Sequence, residues 1–220
     1  MLQGPLFHCH STIYHQRAPI WINVLWPLPG APGLDWALQE LEVAANRGAT
    51  ACVCLGDIID RNANSAEFVP QARTVMAHAV TLFSEVHFIS GNHDTHHNLD
   101  FPPEVTVHGT QVHTFRIGNT TVLTAAVATD PDPRRLQLPP RRSNGPVLGL
   151  LHSSVTGEFS KGTCLPLSVA ELQACEADAW ILGHVHTPHT LADAPFIGWV
   201  GMGHGLLFDP DTCHVTRLPN

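Results

Sequence analysis

"VHFISGNHD", residues 86–94, is the stretch on which the fold turns. A short run of strand type breaks at Gly91 into a turn that carries an amide, an imidazole and a carboxylate in succession. The same grammar recurs along the chain. "TACVCL" (50–55) is an apolar strand that runs into "GDIID" (56–60), "VLGLLHSS" (147–154) ends a strand on His152, and "AWIL" (179–182) leads into "GHVH" (183–186). Asp57, Asn92, His152 and His184 therefore each sit at or just beyond the end of an apolar run. In α/β sheets functional groups gather at the carboxyl ends of strands, where loops converge on a ligand. Separate strands delivering metal-type ligands to one rim predict an α/β fold with a metal site on that rim.

The rest of the chain supplies covering helices and further strands. "GLDWALQELEVAANRG" (33–48) places Leu34, Leu38, Leu41 and Ala45 on one helical face, with Gly48 as the stop. A second helix is expected over Ser65 to Phe83 and a third near Ser168 to Cys175. "VHTFRI" and "TTVLTAAVA" read as strands joined by a hairpin turn at Gly118-Asn119. "FIGWVGMGHGLLFD" and "HVTRL" read as closing strands. Residues 14–33 and 129–146, rich in proline, read as loops, with Trp21 and Trp26 as covers for the core. "GPLFHCHST" (4–12) is the expected first strand, and alternation would turn His8 and His10 to one face as a metal-binding fork.

Bulk properties narrow the class. The 220 residues fit one domain, 1–220, and 44% hydrophobic against 14% charged residues is an ordinary globular balance. No apolar run approaches the roughly 18 residues that span a bilayer, and the amino terminus lacks a signal-peptide pattern, so a cytoplasmic protein is expected. Six cysteines without a C-x-x-C pair read as reduced thiols. A formal charge of −8 argues against binding nucleic acid through a broad basic surface, but is compatible with an enzyme that meets phosphate through metal cations. Histidine is the outlier, with 16 against 11 Lys plus Arg, and it is the commonest metal ligand. The cationic cluster Arg134, Arg135, Arg141 and Arg142 falls in one Pro-rich loop, either solvated or able to track a phosphate backbone.

Taken in order, "FHCH", "GDIID", "GNHD", "LLHSS" and "GHVH" resemble the calcineurin-like metallophosphoesterases, whose pattern is D-x-H, G-D-x-x-D, G-N-H-D, a lone H and G-H-x-H. The resemblance implies a four-layer α-β-β-α sandwich, two mixed sheets flanked by helices. It implies a phosphoester hydrolase with two divalent metal ions, one held by His8, His10, Asp57 and His186, the other by Asp57, Asn92, His152 and His184. A metal-bridging hydroxide would attack, and His93 would steady the transition state and protonate the leaving oxygen. Asp60 and Asp94 would orient histidines or tie down loops, and His204 would touch substrate or a ligand. His96 and His97 extend the "GNHD" loop, while His87, His108, His113 and the remaining histidines read as surface or packing residues. The departure is His8, where the family has aspartate. Imidazole removes one negative charge and favours manganese, iron or zinc over magnesium.

Within the family, "LLHSSVTGEFSKGTCLPLSVAEL" followed by "ADAWILGHVHTP" looks most like the SbcD-type DNA-repair nucleases. That likeness implies a phosphodiester substrate, with nucleic acid the leading candidate, and an SMC-like ATPase partner. The alternatives are a phosphatase or phosphodiesterase acting on small nucleotides, and a non-catalytic interaction scaffold on the same fold. A PHP-type phosphoesterase also opens on H-x-H-S, but it does not predict "GNHD" followed by "GHVH". Oligomeric state is not legible.

Overall fold

The computed structural model describes residues 19–24, 28 and 33–218. The strand expected at 4–12, with His8 and His10, lies outside them. In chain order the elements are β1 (Ile20–Val24), α1 (Gly33–Asn46), β2 (Ala51–Cys54), α2 (Ser65–Leu82), β3 (Glu85–Phe88), β4 (Val105–Val107), β5 (His113–Ile117) and β6 (Thr120–Ala125). β7 (Val147–His152), α3 (Val169–Gln173), β8 (Ala179–Gly183), β9 (His189–Asp193), β10 (Phe196–Trp199), β11 (His204–Asp209) and β12 (His214–Arg217) complete it. Among the described residues two six-stranded sheets result, ordered β12-β11-β1-β2-β3-β4 and β5-β6-β7-β8-β10-β9. Both are mixed: β1 to β4 run parallel, with β11 antiparallel to β1 and β12 antiparallel to β11, and β6, β7, β8 and β10 run parallel with antiparallel edges β5 and β9. The expected four-layer sandwich is the observed one.

Strand alternation builds the layers. Ile20, Ile22, Ala51 and Val53 face Leu148, Leu150, Ala179 and Ile181 across the gap between the sheets. Their neighbours Trp21, Cys52 and Cys54 turn the other way, onto Leu41 and Ala44 of α1 and Val75, Met76 and Ala79 of α2. On the second sheet, Trp180 and Leu182 turn outward to Leu172 of α3, and the Trp180 indole donates to the Leu172 carbonyl at 2.9 Å. A complete capping box starts α3, with Ser168 and Glu171 satisfying each other's backbone N–H groups. Among the described residues no helix is long and apolar enough to cross a membrane.

Three local expectations change. Residues 14–33, read as loop, contain β1, which pairs in parallel with β2 and antiparallel with β11. Its residues Ile20 to Asn23 are at most 1% exposed. A strand buried on both faces shows no alternation, and "IWINV" between prolines offers no period to detect. The short edge strands β4 and β9 also escaped, the first too short and the second too polar to stand out. The closing strands divide between the sheets, β10 joining β8 while β11 and β12 flank β1.

Histidines at one edge couple the two sheets. His87 on β3, His108 after β4 and His113 on β5 form a hydrogen-bonded chain, with N···N distances of 3.1 and 3.0 Å, packed on Phe115. The Gln111 carbonyl can only accept, so His113 Nδ1 carries a proton. With every ring neutral, the direction then propagates: His108 Nδ1 donates to His113, and His87 Nδ1 donates to His108. His87 Nε2 is left without a partner, and the Glu85 carboxylate stands 3.7 Å away. Burial lowers both His87 and His108, although Glu85 works against the shift at His87. His108 falls to about 4, with the charges of His87 and His113 adding to burial. The unfolded chain therefore binds protons more readily between pH 6.5 and 4, and stability is lost as pH falls through that window. Denaturant titrations should show a shallower decline from about pH 6.5 to about 4.5 in His108→Asn than in the parent. Parallel slopes would contradict this origin.

Candidate metal centre

Asp57, Asn92, His152 and His184 stand at the carboxyl ends of β2, β3, β7 and β8, neighbours within each sheet and facing each other across the sandwich. Close approach of the loops makes the site possible. A Cβ on Gly91 would run into Asp57 Oδ1 and the His152 ring, and one on Gly56 would strike the Gly91 backbone. Two of the four functional residues occupy the left-handed region, Asp57 at φ 56° and His184 at φ 90°. Non-glycine residues hold such conformations where the surroundings over-determine them, commonly at binding sites.

The buried Asp94 carboxylate fastens this arrangement. It accepts from the backbone N–H of Asp57 (2.7 Å), Ile58 (3.0 Å) and Gly91 (2.8 Å), tying the β2 loop to the β3 loop. Burial and then the neighbouring charge of Asp57 push its pKa up to about 7, against the pull of those N–H groups. Asp57 in turn accepts from the His93 backbone N–H at 2.9 Å. Burial alone would raise Asp57, but His152 and His93 hold its carboxyl well below the usual range.

The two imidazoles of the site face more acceptors than neutral rings have protons. The Leu55 carbonyl accepts from His152 Nδ1 at 2.9 Å, so the neutral ring presents a bare Nε2. That nitrogen stands 3.2 Å from Asp57 Oδ2 and 3.2 Å from Asn92 Oδ1. Asn92 Nδ2 donates to Asp130, which fixes the amide with its oxygen inward. His184 faces an acceptor at each ring nitrogen, the same Asn92 oxygen 2.9 Å from Nδ1 and the Gly162 carbonyl 3.3 Å from Nε2, and a neutral ring has one proton for the two. Burial, then the charge of His152, lowers His184 to about 4, so this ring is neutral at neutral pH. At His152 burial acts downward, but Asp57 outweighs it and the net shift is upward. One proton on His152 would relieve its contact with Asp57, yet neutral His184 would still meet one of its two acceptors without a proton between them. A divalent cation satisfies all of them: donors at about 2.1 Å from one ion stand about 3.0–3.4 Å apart. The residues present fit such an ion.

The other expected residues are distributed around this cluster. His186 is exposed and lines, with Asp57, Asn92, His93 and His184, a cleft of about 610 Å³. His93 accepts at Nε2 from the Arg61 guanidinium (2.9 Å), and its Nδ1 lies 3.7 Å from Asp60. Burial, then the cation of Arg61 against the pull of Asp57, leaves its pKa lowered. Asp60 also accepts through its carbonyl from His97 Nε2 at 2.8 Å, and His97 Nδ1 is bonded to Ser65 at the start of α2. His96 reaches Asp130 at 3.1 Å. His204 begins β11 opposite Val24 and is not among the residues lining the cleft. His8 and His10 lie outside the described residues.

Sequence reasoning missed Asp130 and Arg61. The Asp130 carboxylate gathers Asn92 Nδ2, His96 and Arg61 (2.8 Å), thereby aiming the Asn92 oxygen inward. It sits in the proline-rich 129–146 segment, where composition marks a loop and nothing marks which carboxylate turns inward. The Cys164 sulfur also lies within 4.8 Å of ligand nitrogens of His152 and His184. Burial raises its pKa and its thiol points at the His152 carbonyl, 3.2 Å away, so it packs the site as a neutral group. The arginine loop is largely spent on the fold itself. Arg134 binds buried Asp132 and two carbonyls, Arg141 binds Asp178 and three carbonyls, and Arg135 pairs with Glu171.

Comparison with known proteins bears on the family and the fold. The family model for calcineurin-like phosphoesterases matches residues 29–188. The fold is similar to that of TT1561 from Thermus thermophilus, with a TM-score of 0.57 and 14% identity over 91% of this chain and 98% of that one. It is also similar to a dimetal phosphatase from Danio rerio, with a TM-score of 0.55 and 12% identity over 86% of this chain and 91% of that one. At these identities the likeness carries the fold alone. A search of curated proteins finds no match.

Replacing Asp94 by alanine strands three inward backbone donors, each costing about 1–3 kcal/mol when left unpaired. Asp94→Ala should lose about 3 kcal/mol or more in a denaturation titration. A loss below about 1 kcal/mol would show that the loops are held otherwise.

Proposed function

The chain belongs to the calcineurin-like phosphoesterase family, metal-dependent hydrolases that use two divalent ions, and on that premise we propose that it hydrolyses phosphodiesters at the rim described above. The observation that carries this reading is the spacing of the donors: Asn92 Oδ1 lies 3.2 Å from His152 Nε2 and 2.9 Å from His184 Nδ1, and His152 Nε2 lies 3.2 Å from Asp57 Oδ2, the separations of ligands around one ion. Those four residues would hold one ion; Asp57, His186, His8 and His10 would hold the other. Bound there, the ions supply Lewis acidity toward a phosphoryl oxygen and lower the pKa of water toward neutrality. The presence of Asp57, Asn92, His152 and His184 together favours a catalyst over an interaction scaffold.

The chain's own groups complete the chemistry. Arg61 and His93 reach the cleft together, the guanidinium donating to His93 Nε2. A phosphate oxygen that draws Arg61 to itself would free Nε2 to take a proton from water in the cleft and pass it to the leaving oxygen. Asp60, near Nδ1, would steady the imidazolium that forms in between. With His8 in place of a carboxylate, manganese, iron or zinc is the preferred ion.

The "LLHSS…GHVH" likeness to SbcD-type enzymes supports a nuclease. A second reading, small nucleotides, is favoured by the engagement of Arg134, Arg135 and Arg141 in internal pairs, which withdraws the loop from a phosphate backbone. The SMC-like partner finds no support and forms no part of the proposal.

Metal analysis and hydrolysis assays test the reading together. The purified protein should contain about two divalent ions per chain and cleave bis(p-nitrophenyl) phosphate faster than p-nitrophenyl phosphate. Chelation should abolish turnover and manganese restore it. Asn92→Ala should lower kcat by about 100-fold or more, the scale of losing charge stabilisation by a metal. No turnover of any phosphoester by the fully metallated protein would contradict the proposal. His8→Asp should shift the preferred ion toward magnesium; an unchanged metal profile would remove His8 from the ligand set.

A further inference from the structure

Phe159 belongs to the loop after β7 and is 42% exposed, one of two large apolar side chains so exposed among the described residues. It lies on the wall of the metal cleft. Its ring is backed by His189 at the start of β9, with centroids 4.1 Å apart, and by Trp199 at the end of β10, 5.5 Å away. Backing by two rings holds the phenyl in place while leaving part of it uncovered. Two residues further on, Lys161 lines the same cleft, exposed and without an ion pair among the described residues. It is the single lysine of the chain.

We propose that Phe159 and Lys161 select the substrate: Phe159 stacks the base of a nucleoside phosphodiester, and Lys161 takes a phosphate oxygen that does not react. This rests on the phosphodiesterase reading above and narrows its substrate. An aromatic face open to a polar cleft gains by stacking a planar ring, and such stacking tolerates any base. A free cation beside it complements the charge that travels with a nucleotide. Because the formal charge is −8 and most arginines of the 129–146 loop are engaged, the substrate is a small nucleotide ester rather than a long strand, whose binding needs many free cations.

The test compares thymidine 5′-(p-nitrophenyl phosphate) with methyl p-nitrophenyl phosphate, which share a leaving group and differ in the nucleoside. Phe159→Ala should lower the ratio of kcat/KM for the thymidine ester over the methyl ester by roughly 5- to 150-fold, the range of one lost base stack. Phe159→Trp should restore the ratio. Equal losses on both esters would mark a purely structural role and overturn the inference. Calorimetric titration of the protein with thymidine monophosphate gives a readout independent of turnover. Weaker binding in Phe159→Ala is expected, and unchanged binding overturns the inference even if both esters are cleaved. Across oligothymidylates, kcat/KM should not rise from the dinucleotide to the dodecamer; a steep rise would overturn the assignment to small nucleotides.

Discussion

The Asp94 carboxylate is the constraint on which the site depends. Three backbone N–H groups from two separate loops point at one buried carboxylate, and each would be orphaned without it. Because β2 and β3 are parallel neighbours, their loops leave the sheet side by side, and Asp94 fixes the gap between them. That gap determines where Asp57 and Asn92 stand relative to His152, which rises from the opposite sheet. Glycine at positions 56 and 91 is the geometric counterpart, since a Cβ at either place would collide with the other loop or with the Asp57 carboxylate. The sharp Gly-Asp and Gly-Asn turns of the sequence are therefore requirements of close approach.

The sequence made the rim legible through its strand ends. "CLGD", "ISGN", "LLHS" and "LGHV" each combine a buried run with a turn and a polar side chain, and the parallel strands bring those ends together. Layers were legible wherever one face of a strand differs from the other. β1 was not, because both its faces are buried and its residues carry no period. Asp130 was not, because its role arises from a loop folding back over Asn92, a contact 38 residues away in the chain. In the sequence His87, His108 and His113 read singly as surface or packing residues; their hydrogen-bonded chain depends on strands of two different sheets meeting, which no local pattern encodes.

The distribution of charge separates fold from function. Arg134 and Arg141 bind carboxylates and carbonyls at the second sheet, where they satisfy backbone acceptors that the proline-rich loop leaves open. Arg61, by contrast, lies in the cleft, shared between Asp130 and His93. Arg61 and Lys161 are the cations that line the cleft. The rim itself is rich in electron pairs: the buried His152 and half-buried His184 imidazoles both reach the Asn92 amide oxygen, and His152 also meets the Asp57 carboxylate. Burial keeps His184 neutral, and the Leu55 carbonyl holds the His152 Nδ1 proton away from the centre. Such an arrangement is costly in isolation and favourable around a cation.

The central claim is that this point is a cation site, and anomalous diffraction from crystals grown with manganese tests it most directly. A peak is predicted within about 2.0–2.3 Å of Asn92 Oδ1, His152 Nε2, His184 Nδ1 and an Asp57 carboxylate oxygen. No peak at that position, with His152 and His184 turned away from Asn92, would contradict the account.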